Sequence, residues 1–276
     1  FVGKLDEKEQ VLTSMMNTIV HRGPDSAGMY CDEEVALGFR RLSIIDITES
    51  GDQPLYNEDK SKVLVFNGEI YNYQELRREL IEAGHVFQTN TDSETLLHGY
   101  EEWGTLLLKR LRGMFAFVIW DCKEKKMFAA RDMFGIKPFY YAQMNQTFLF
   151  ASEIKSFVEH PHFDKVFNEK ALGNYLSFQF VPTNETFFKG VFCLQPGYYM
   201  TYENGILELK RYFEPKFHEK TDRSFEEVVD DVERVMKESV EMHKISDVEV
   251  ASYLSSGVDS SYLTYLSQVD HTFTVG

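Results

Sequence analysis

Apolar residues recur at helical spacing over Val11–Val20, where Leu12, Met15, Met16 and Ile19 share one face and predict a helix. His21-Arg22-Gly23-Pro24-Asp25 then breaks the pattern with the two residues that punctuate regular backbone. Val35–Ile45 and Lys62–Phe66 read as strands. Helical spacing returns over Asn72–Ala83, with Gly84 placed as a C-cap. It returns again over Asp92–Trp103, with Asp92 placed to N-cap the first turn. Beyond Gly113 the apolar run Met114–Trp120 and the segments Lys126–Arg131, Pro138–Gln143 and Thr147–Ala151 predict strands. Turns at Asp121–Glu124 and Met144–Gln146 join them into one expected antiparallel meander. Tyr198–Tyr202 and Ile206–Tyr212 form a hairpin around Glu203-Asn204-Gly205, whose Asn-Gly supplies positive φ at little cost.

Residues 213–223 are polar and read as a linker. Ser224-Phe225-Glu226-Glu227 is a capping box. Behind it Phe225, Val228, Val232, Val235, Met236 and Val240 fall on one helical face. Glu249–Leu254 is a short strand, Ser255–Ser261 a loop of small residues opening a helix, and Phe273–Gly276 a second strand. Strand, loop, helix and strand in that order mark an α/β unit. One strand pair cannot bury both its faces, so an incomplete second domain is expected over 214–276, after a strand-rich domain over 1–213.

Hydrophobic residues make up 43% of the 276 positions and aromatics 14%, enough for a sizeable core and against a disordered chain. Forty-four acidic side chains against 29 basic ones give a net charge of −15. That excess argues against nucleic acid or an anionic membrane as partner, since both need clustered Lys and Arg. Cys31, Cys122 and Cys193 show no paired spacing, which excludes a disulfide framework and a Cys-rich zinc module and fits a reducing cytosol. Met114–Trp120 is too short to span a bilayer. Phe1–Gln10 lacks a basic start followed by an apolar stretch, so no signal peptide is expected. The first residue is Phe rather than Met, so residues are expected to precede it in the whole protein. The eight histidines show no metal-ligand spacing such as His-x-x-x-His, and no metal site is expected.

Five places carry candidate chemistry. Asn67-Gly68-Glu69 closes an apolar strand with an amide donor and a flexible backbone N–H, the inventory of an oxyanion hole; a common strand-end turn is the plain alternative. Asp92 and Glu94 offer carboxylates for an ammonium group, or simply a helix cap. Arg40 and Arg41 sit in a strand, so one faces inward and needs an anionic partner, either a substrate carboxylate or a structural Asp or Glu. His21, Arg22 and Asp25 fit either a site or loop packing. Ser255–Ser261 follows a strand and opens a helix, which suits an anion such as pyrophosphate as well as an ordinary βα turn.

Taken in order, His21-Arg22-Gly23-Pro24-Asp25-Ser26, Arg41–Asp46, Gln53-Pro54, Asn67–Asn72, Thr91-Asp92-Ser93-Glu94, and Arg131-Asp132 with Gly135–Phe139 resemble the glutaminase half of glutamine-hydrolysing asparagine synthetases. Ser255–Ser261 resembles that family's ATP-pyrophosphatase loop, usually Ser-Gly-Gly-x-Asp-Ser. The resemblance covers essentially the whole chain. It implies an α+β N-terminal-nucleophile hydrolase sandwich (αββα), followed by the start of an α/β ATP-pyrophosphatase domain. It implies that Arg41 holds the α-carboxylate of glutamine, Glu69 and Asp92 its α-ammonium, and Asn67 with the Gly68 N–H the oxyanion. Leu42 and Ile44 would line the site with backbone groups. Ammonia would pass to the second domain, where an aspartyl-AMP intermediate, formed from ATP with Mg²⁺, becomes asparagine. Leu254, Val275 and Gly276 would border adenosine, and Ser255, Gly257, Asp259 and Ser260 the phosphates.

The family begins Met-Cys-Gly-Phe/Ile-x-Gly, and Phe1-Val2-Gly3 matches its tail, so the nucleophilic Cys is expected two residues before Phe1. Without it the chain is expected to lack glutaminase activity, and a chain ending at Gly276 is expected not to make asparagine. Ser256 replaces the usual Gly and is expected to fit with negative φ. The resemblance further implies a cytoplasmic ligase, in a family often homodimeric. Two alternatives stand beside it: a related amidotransferase acting on another carboxylate, and a non-catalytic glutamine-binding module. Purine-pathway and glucosamine amidotransferases share the glutaminase fold but not the loop at 255–261.

Overall fold

The computed structural model describes residues 1–219 and 222–275. Two compact units divide the chain: Phe1–Ser43 with Thr48–Glu214, and Ile44–Ile47 with the segment from Pro215 onward. The first unit runs α1 (Lys8–Asn17), β1 (Ser26–Cys31), β2 (Ala36–Arg41), β3 (Leu55–Tyr56), β4 (Lys62–Ile70), α2 (Tyr73–Glu82) and α3 (Asp92–Trp103). It continues β5 (Gly113–Asp121), β6 (Lys126–Arg131), β7 (Tyr140–Met144), β8 (Thr147–Ala151), α4 (Glu169–Phe178), β9 (Val191–Cys193), β10 (Tyr198–Glu203) and β11 (Ile206–Arg211).

One antiparallel sheet has six strands in the order β11-β10-β6-β5-β4-β3. A three-stranded sheet, β8-β7-β9, and the β1-β2 hairpin make the other layer. Val2 bridges both Val35 and Phe148, so the segment at Phe1–Gly3 knits hairpin and sheet together.

Strand alternation sorts the side chains into three apolar layers. Ala116, Val118 and Trp120 of β5, Met127 and Ala129 of β6, and Phe148 of β8 meet between the sheets. Phe115, Phe117 and Ile119 of β5, with Phe128 and Ala130 of β6, face the other way, against Leu76 of α2 and Leu96 and Leu97 of α3. Ala142 and Leu149 of the smaller layer pack on Leu12, Met15 and Met16 of α1. Helices therefore flank two stacked sheets, and β5 is covered on both faces. That double burial is why Met114–Trp120 is continuously apolar.

The expected meander over 113–151 is corrected: β5 and β6 lie in the large sheet, β7 and β8 in the other. Alternation marks a strand but does not say which sheet it joins, and the crossing falls between Arg131 and Tyr140. Strand β2 ends at Arg41 rather than Ile45, and β1 was not expected, its small residues giving weak alternation. Thr91, not Asp92, caps α3: its hydroxyl accepts from the Glu94 N–H at 3.2 Å. The expected hairpin at 198–212 is present, and Asn204 and Gly205 both have positive φ, as a two-strand tight turn requires.

The second unit contains α5 (Phe225–His243), β12 (Ser252–Tyr253), α6 (Val258–Ser267) and β13 (Thr272–Phe273). Ser224 and Glu227 form the expected reciprocal capping box. Strands β12 and β13 pair in parallel on either side of α6 in sequence, a βαβ unit. The apolar face of α5 is present, but Phe225, Val228, Val232 and Val235 are exposed.

Candidate active site

On β4, Val63 and Val65 face the space between the sheets. The period of two puts Asn67 and Glu69 on that same face. Asn67 lines a cavity together with Phe1, Arg22, Gly38 and Ser152. Its Nδ2 is buried and makes no hydrogen bond. A buried donor left unpaired costs about 1–3 kcal/mol, so this amide is poised to meet an acceptor that enters the cavity. At Gly68 a Cβ would lie 2.1 Å from Met114 O and 2.8 Å from Phe115 Cα, so β4 and β5 approach too closely there for any side chain.

Asp92 begins α3, 5% exposed, and its Oδ2 accepts the Ile70 N–H at 2.9 Å. Burial pushes its carboxyl up to about 7; the Glu69 charge adds to the rise and the Ile70 hydrogen bond opposes it. Glu69 and Asp92 thus lie close enough to act on each other through charge. Glu94 is not part of this pair. Its carboxylate accepts from Gln88 N–H, Thr89 N–H and the Thr89 hydroxyl, each at 2.7 Å, and closes the turn before α3.

Arg41 is inward and 6% exposed. Its Nη1 donates to Thr48 O at 2.7 Å and to Asp52 Oδ1 at 2.9 Å. Of the two partners the sequence left open, the structure supplies the structural carboxylate. Arg40 faces the opposite way, toward Met16 O and Asn17 of α1. Beside Asp52 sits a residue whose role the sequence did not reveal. Gln53 Oε1 accepts the Phe66 N–H at 2.6 Å, and its Nε2 donates to Phe66 O at 3.1 Å and to Ser93 Oγ at 3.3 Å. This one side chain ties the Arg41–Asp52 pair to the strand position before Asn67 and to the residue after Asp92. Leu42 is exposed, at 56%. Ile44 belongs to the second unit, where its carbonyl accepts the Asp247 N–H at 2.9 Å.

The loop at 21–25 is braced by charge. His21 Nε2 lies 2.9 Å and Arg22 Nη1 3.4 Å from Glu153 Oε1, and Lys155 Nζ 3.0 Å from Oε2. Burial opposes ionisation of Glu153, but Lys155 and His21 hold its carboxyl below the ordinary range. Asp25 accepts the Ser43 N–H at 2.8 Å. Arg131 and Asp132 form the corner where the chain changes sheets. The guanidinium donates to the carbonyls of Lys137, Leu194 and Gly135. The carboxylate accepts N–H bonds from Phe115, Phe134, Ile136 and Lys137. Both are architectural.

In the second unit, Gly257 N-caps α6, and Ser256 is not among the residues of positive φ. Ser255 Oγ and Ser260 Oγ lie 2.8 Å apart, and the Gly257 N–H donates to Ser255 Oγ at 3.2 Å. Asp259 is exposed in the first turn. Leu254 donates to Phe273 O at 2.9 Å, Val275 is 89% exposed, and Gly276 lies outside the described residues. Among the described residues no helix is long and apolar enough to cross a membrane.

Comparison with known proteins shows the family. Residues 1–213 match the glutamine amidotransferase domain, and residues 231–276 match asparagine synthase. The chain belongs to the glutamine amidotransferase family. Within it, the chain is 43% identical over 275 residues to asparagine synthetase [glutamine-hydrolyzing] 1 of Bacillus subtilis (strain 168), covering 98% of this chain and 43% of that protein. It is 41% identical over 278 residues to a putative asparagine synthetase [glutamine-hydrolyzing] of Mycobacterium tuberculosis (strain H37Rv), covering 93% and 42%. Amidase chyE of Penicillium rubens is 36% identical over 254 residues, covering 91% and 37%. The chain thus spans less than half the length of these curated relatives. Among solved structures, the glutamine phosphoribosylpyrophosphate amidotransferase of B. subtilis superposes with a TM-score of 0.55 at 16% identity, covering 100% of this chain and 64% of that one. The fold of the first unit is the N-terminal-nucleophile αββα sandwich.

Proposed function

We propose that the whole protein is an ATP-dependent asparagine synthase that takes its ammonia from glutamine, and that the first unit is its glutaminase. In this reading Arg41 orients the α-carboxylate of glutamine, Glu69 and Asp92 receive its α-ammonium, and the backbone of Leu42 lines the site. The nucleophile is a cysteine two residues before Phe1. Phe1 and Ala36 exchange backbone hydrogen bonds at 2.7 and 2.8 Å, so in the same antiparallel register that cysteine falls opposite Gly38. Gly38 lines the cavity that holds Asn67.

The terminal amine, with an intrinsic pKa of about 7.7–8.0, takes the thiol proton. The thiolate adds to the side-chain amide carbon, and the oxyanion receives hydrogen bonds from Asn67 Nδ2 and the Gly68 N–H. Ammonia leaves with the returned proton, and water then releases glutamate from the thioester. Each oxyanion donor is worth about 2.7–4 kcal/mol in such a transition state.

In the second unit the hydroxyls of Ser255 and Ser260 and the Gly257 N–H suit phosphate oxygens. The exposed Asp259 carboxylate suits a hard cation such as Mg²⁺, which keeps waters and phosphate oxygens among its ligands. Leu254, Val275 and Gly276 are the proposed adenosine contacts. Bound ATP would supply the activation of the aspartate carboxylate.

The observation that carries the proposal is the unpaired, buried Asn67 amide in a cavity to which the register of the first strand leads. The test is ammonia release from glutamine by the chain preceded by Met-Cys-Gly. Release that disappears when the added cysteine is replaced by alanine supports the reading; equal release from both chains refutes it.

A further inference from the structure

Outside the residues assigned to glutamine, two histidines and a glutamate converge from three separate elements. His98 comes from the middle of α3, His85 from the turn after α2, and Glu58 from the turn between β3 and β4. One ring nitrogen of each histidine and one Glu58 oxygen all lie within 4.8 Å of one another. His85 and His98 stack with ring centroids 4.9 Å apart.

Each histidine already faces carboxylates. His98 Nδ1 is 3.1 Å from Glu101 Oε2 and 3.8 Å from Glu58 Oε1, and its Nε2 is 3.6 Å from Glu94 Oε1. Glu101 is held in turn by Asn57 Nδ2 at 2.7 Å. His85 Nε2 is 3.3 Å from Glu102 Oε2. A carboxylate that orients the imidazole ring is the usual support of a metal-bound histidine. His98 is 1% exposed, and its Nε2 makes no hydrogen bond.

We propose that Glu58, His85 and His98 form a binding site for a divalent transition-metal ion, zinc above all. Two imidazoles and a carboxylate with a fourth position open to water are a zinc set. Around a tetrahedral zinc the ligand atoms sit roughly 3.4 Å apart, so the three groups must close by at most about 1.4 Å. The Glu58 side chain, 45% exposed on its turn, has the freedom to do so. The nitrogen-rich set disfavours Mg²⁺, which prefers oxygen ligands. The site joins α3 to the turns that hold Glu58 and His85, so its ion acts as a cross-link of the helical layer rather than in the chemistry between the sheets.

The test is calorimetric titration of the 276-residue chain with ZnCl₂ alone, in a non-chelating buffer, beside thermal melts with ZnCl₂ and with MgCl₂. The expected result is one zinc per chain with a Kd of about 10 μM or tighter, a raised Tm with zinc, and no response to magnesium. Glu58→Gln and His85→Gln are each expected to weaken zinc binding by at least about tenfold while leaving the metal-free melt in place. Loss of the buried His98 risks the fold, so these two variants carry the test. Absence of saturable binding overturns the proposal. So does zinc binding that both variants retain at full strength, since the ion would then sit on cysteines or scattered surface carboxylates.

Discussion

Replacing Asn67 by leucine changes two quantities in opposite directions. The Asn67 amide donor is buried and unpaired in the wall between the sheets. Leucine has a similar volume and no donor. Removing a buried unpaired group recovers about 1–3 kcal/mol, less the repacking cost of a differently branched side chain, which is usually below about 1.5 kcal/mol. A net gain near 1 kcal/mol raises the Tm of a unit this size by about 2–4 °C. The same substitution deletes one oxyanion donor, and kcat for ammonia release in the chain preceded by Met-Cys-Gly is expected to fall about 10²–10³-fold. The donor acts on the tetrahedral intermediate more than on bound glutamine, so KM is expected to move little. Differential scanning calorimetry and a glutamate-dehydrogenase-coupled ammonia assay on the same preparation read both numbers. A variant that melts lower than its parent and still releases ammonia at the parental rate would refute the assignment of Asn67 and the energetic argument behind it.

Asp92→Asn probes the ammonium pocket through pH. The folded carboxyl is raised to about 7 from the ordinary aspartate value of 3.8, so the folded state holds the extra proton between those values. Its stabilising contribution is complete below about pH 4 and is lost as pH rises through about 7. The variant, permanently neutral, is expected to gain on the parent by a few kcal/mol across that window and then to plateau, in urea unfolding from pH 5 to 8; parallel curves would contradict the burial argument. Gly68→Ala, whose Cβ would meet Met114 O at 2.1 Å, is expected to lower stability by about 1–3 kcal/mol in the same assay. Ser224→Ala removes the capping box of α5, and about 1 kcal/mol of helix stability with it, seen as earlier loss of ellipticity in a fragment holding the second unit together with Ile44–Ile47.

Much of the framework was legible because periodicity reports burial directly. The continuous run Met114–Trp120 announced a strand, and Ser224 with Glu227 announced a helix start. Sheet membership was not legible: β6 and β7 look alike in sequence, and only long-range pairing sends one to each layer. At the site, Asn67–Glu69 read as the close of a strand ending at Phe66, whereas β4 runs on to Ile70 and its period of two puts Asn67 and Glu69 on one face. The partner of Arg41 was left open between a substrate and an acid; Asp52 accepts from its Nη1, and the substrate role belongs to the proposed function. Gln53 was noticed only as part of a Gln-Pro motif; its work of mimicking a neighbouring strand for Phe66 was not legible, because a glutamine before a proline carries no periodic signal. The group at Glu58, His85 and His98 escaped for a related reason: its members come from two turns and a helix, and a spacing rule sees only ligands close in sequence.

The Arg131–Asp132 corner has a consequence for how such a scaffold diversifies. Three of its guanidinium bonds and all four of its carboxylate bonds engage main-chain groups, from Phe115 round to Leu194. A spacer built on backbone is indifferent to the side chains that face the gap it holds open. The lining of the gap is therefore free to be rewritten residue by residue, for a new guest or a new acceptor, while the clearance between the two walls stays as it was.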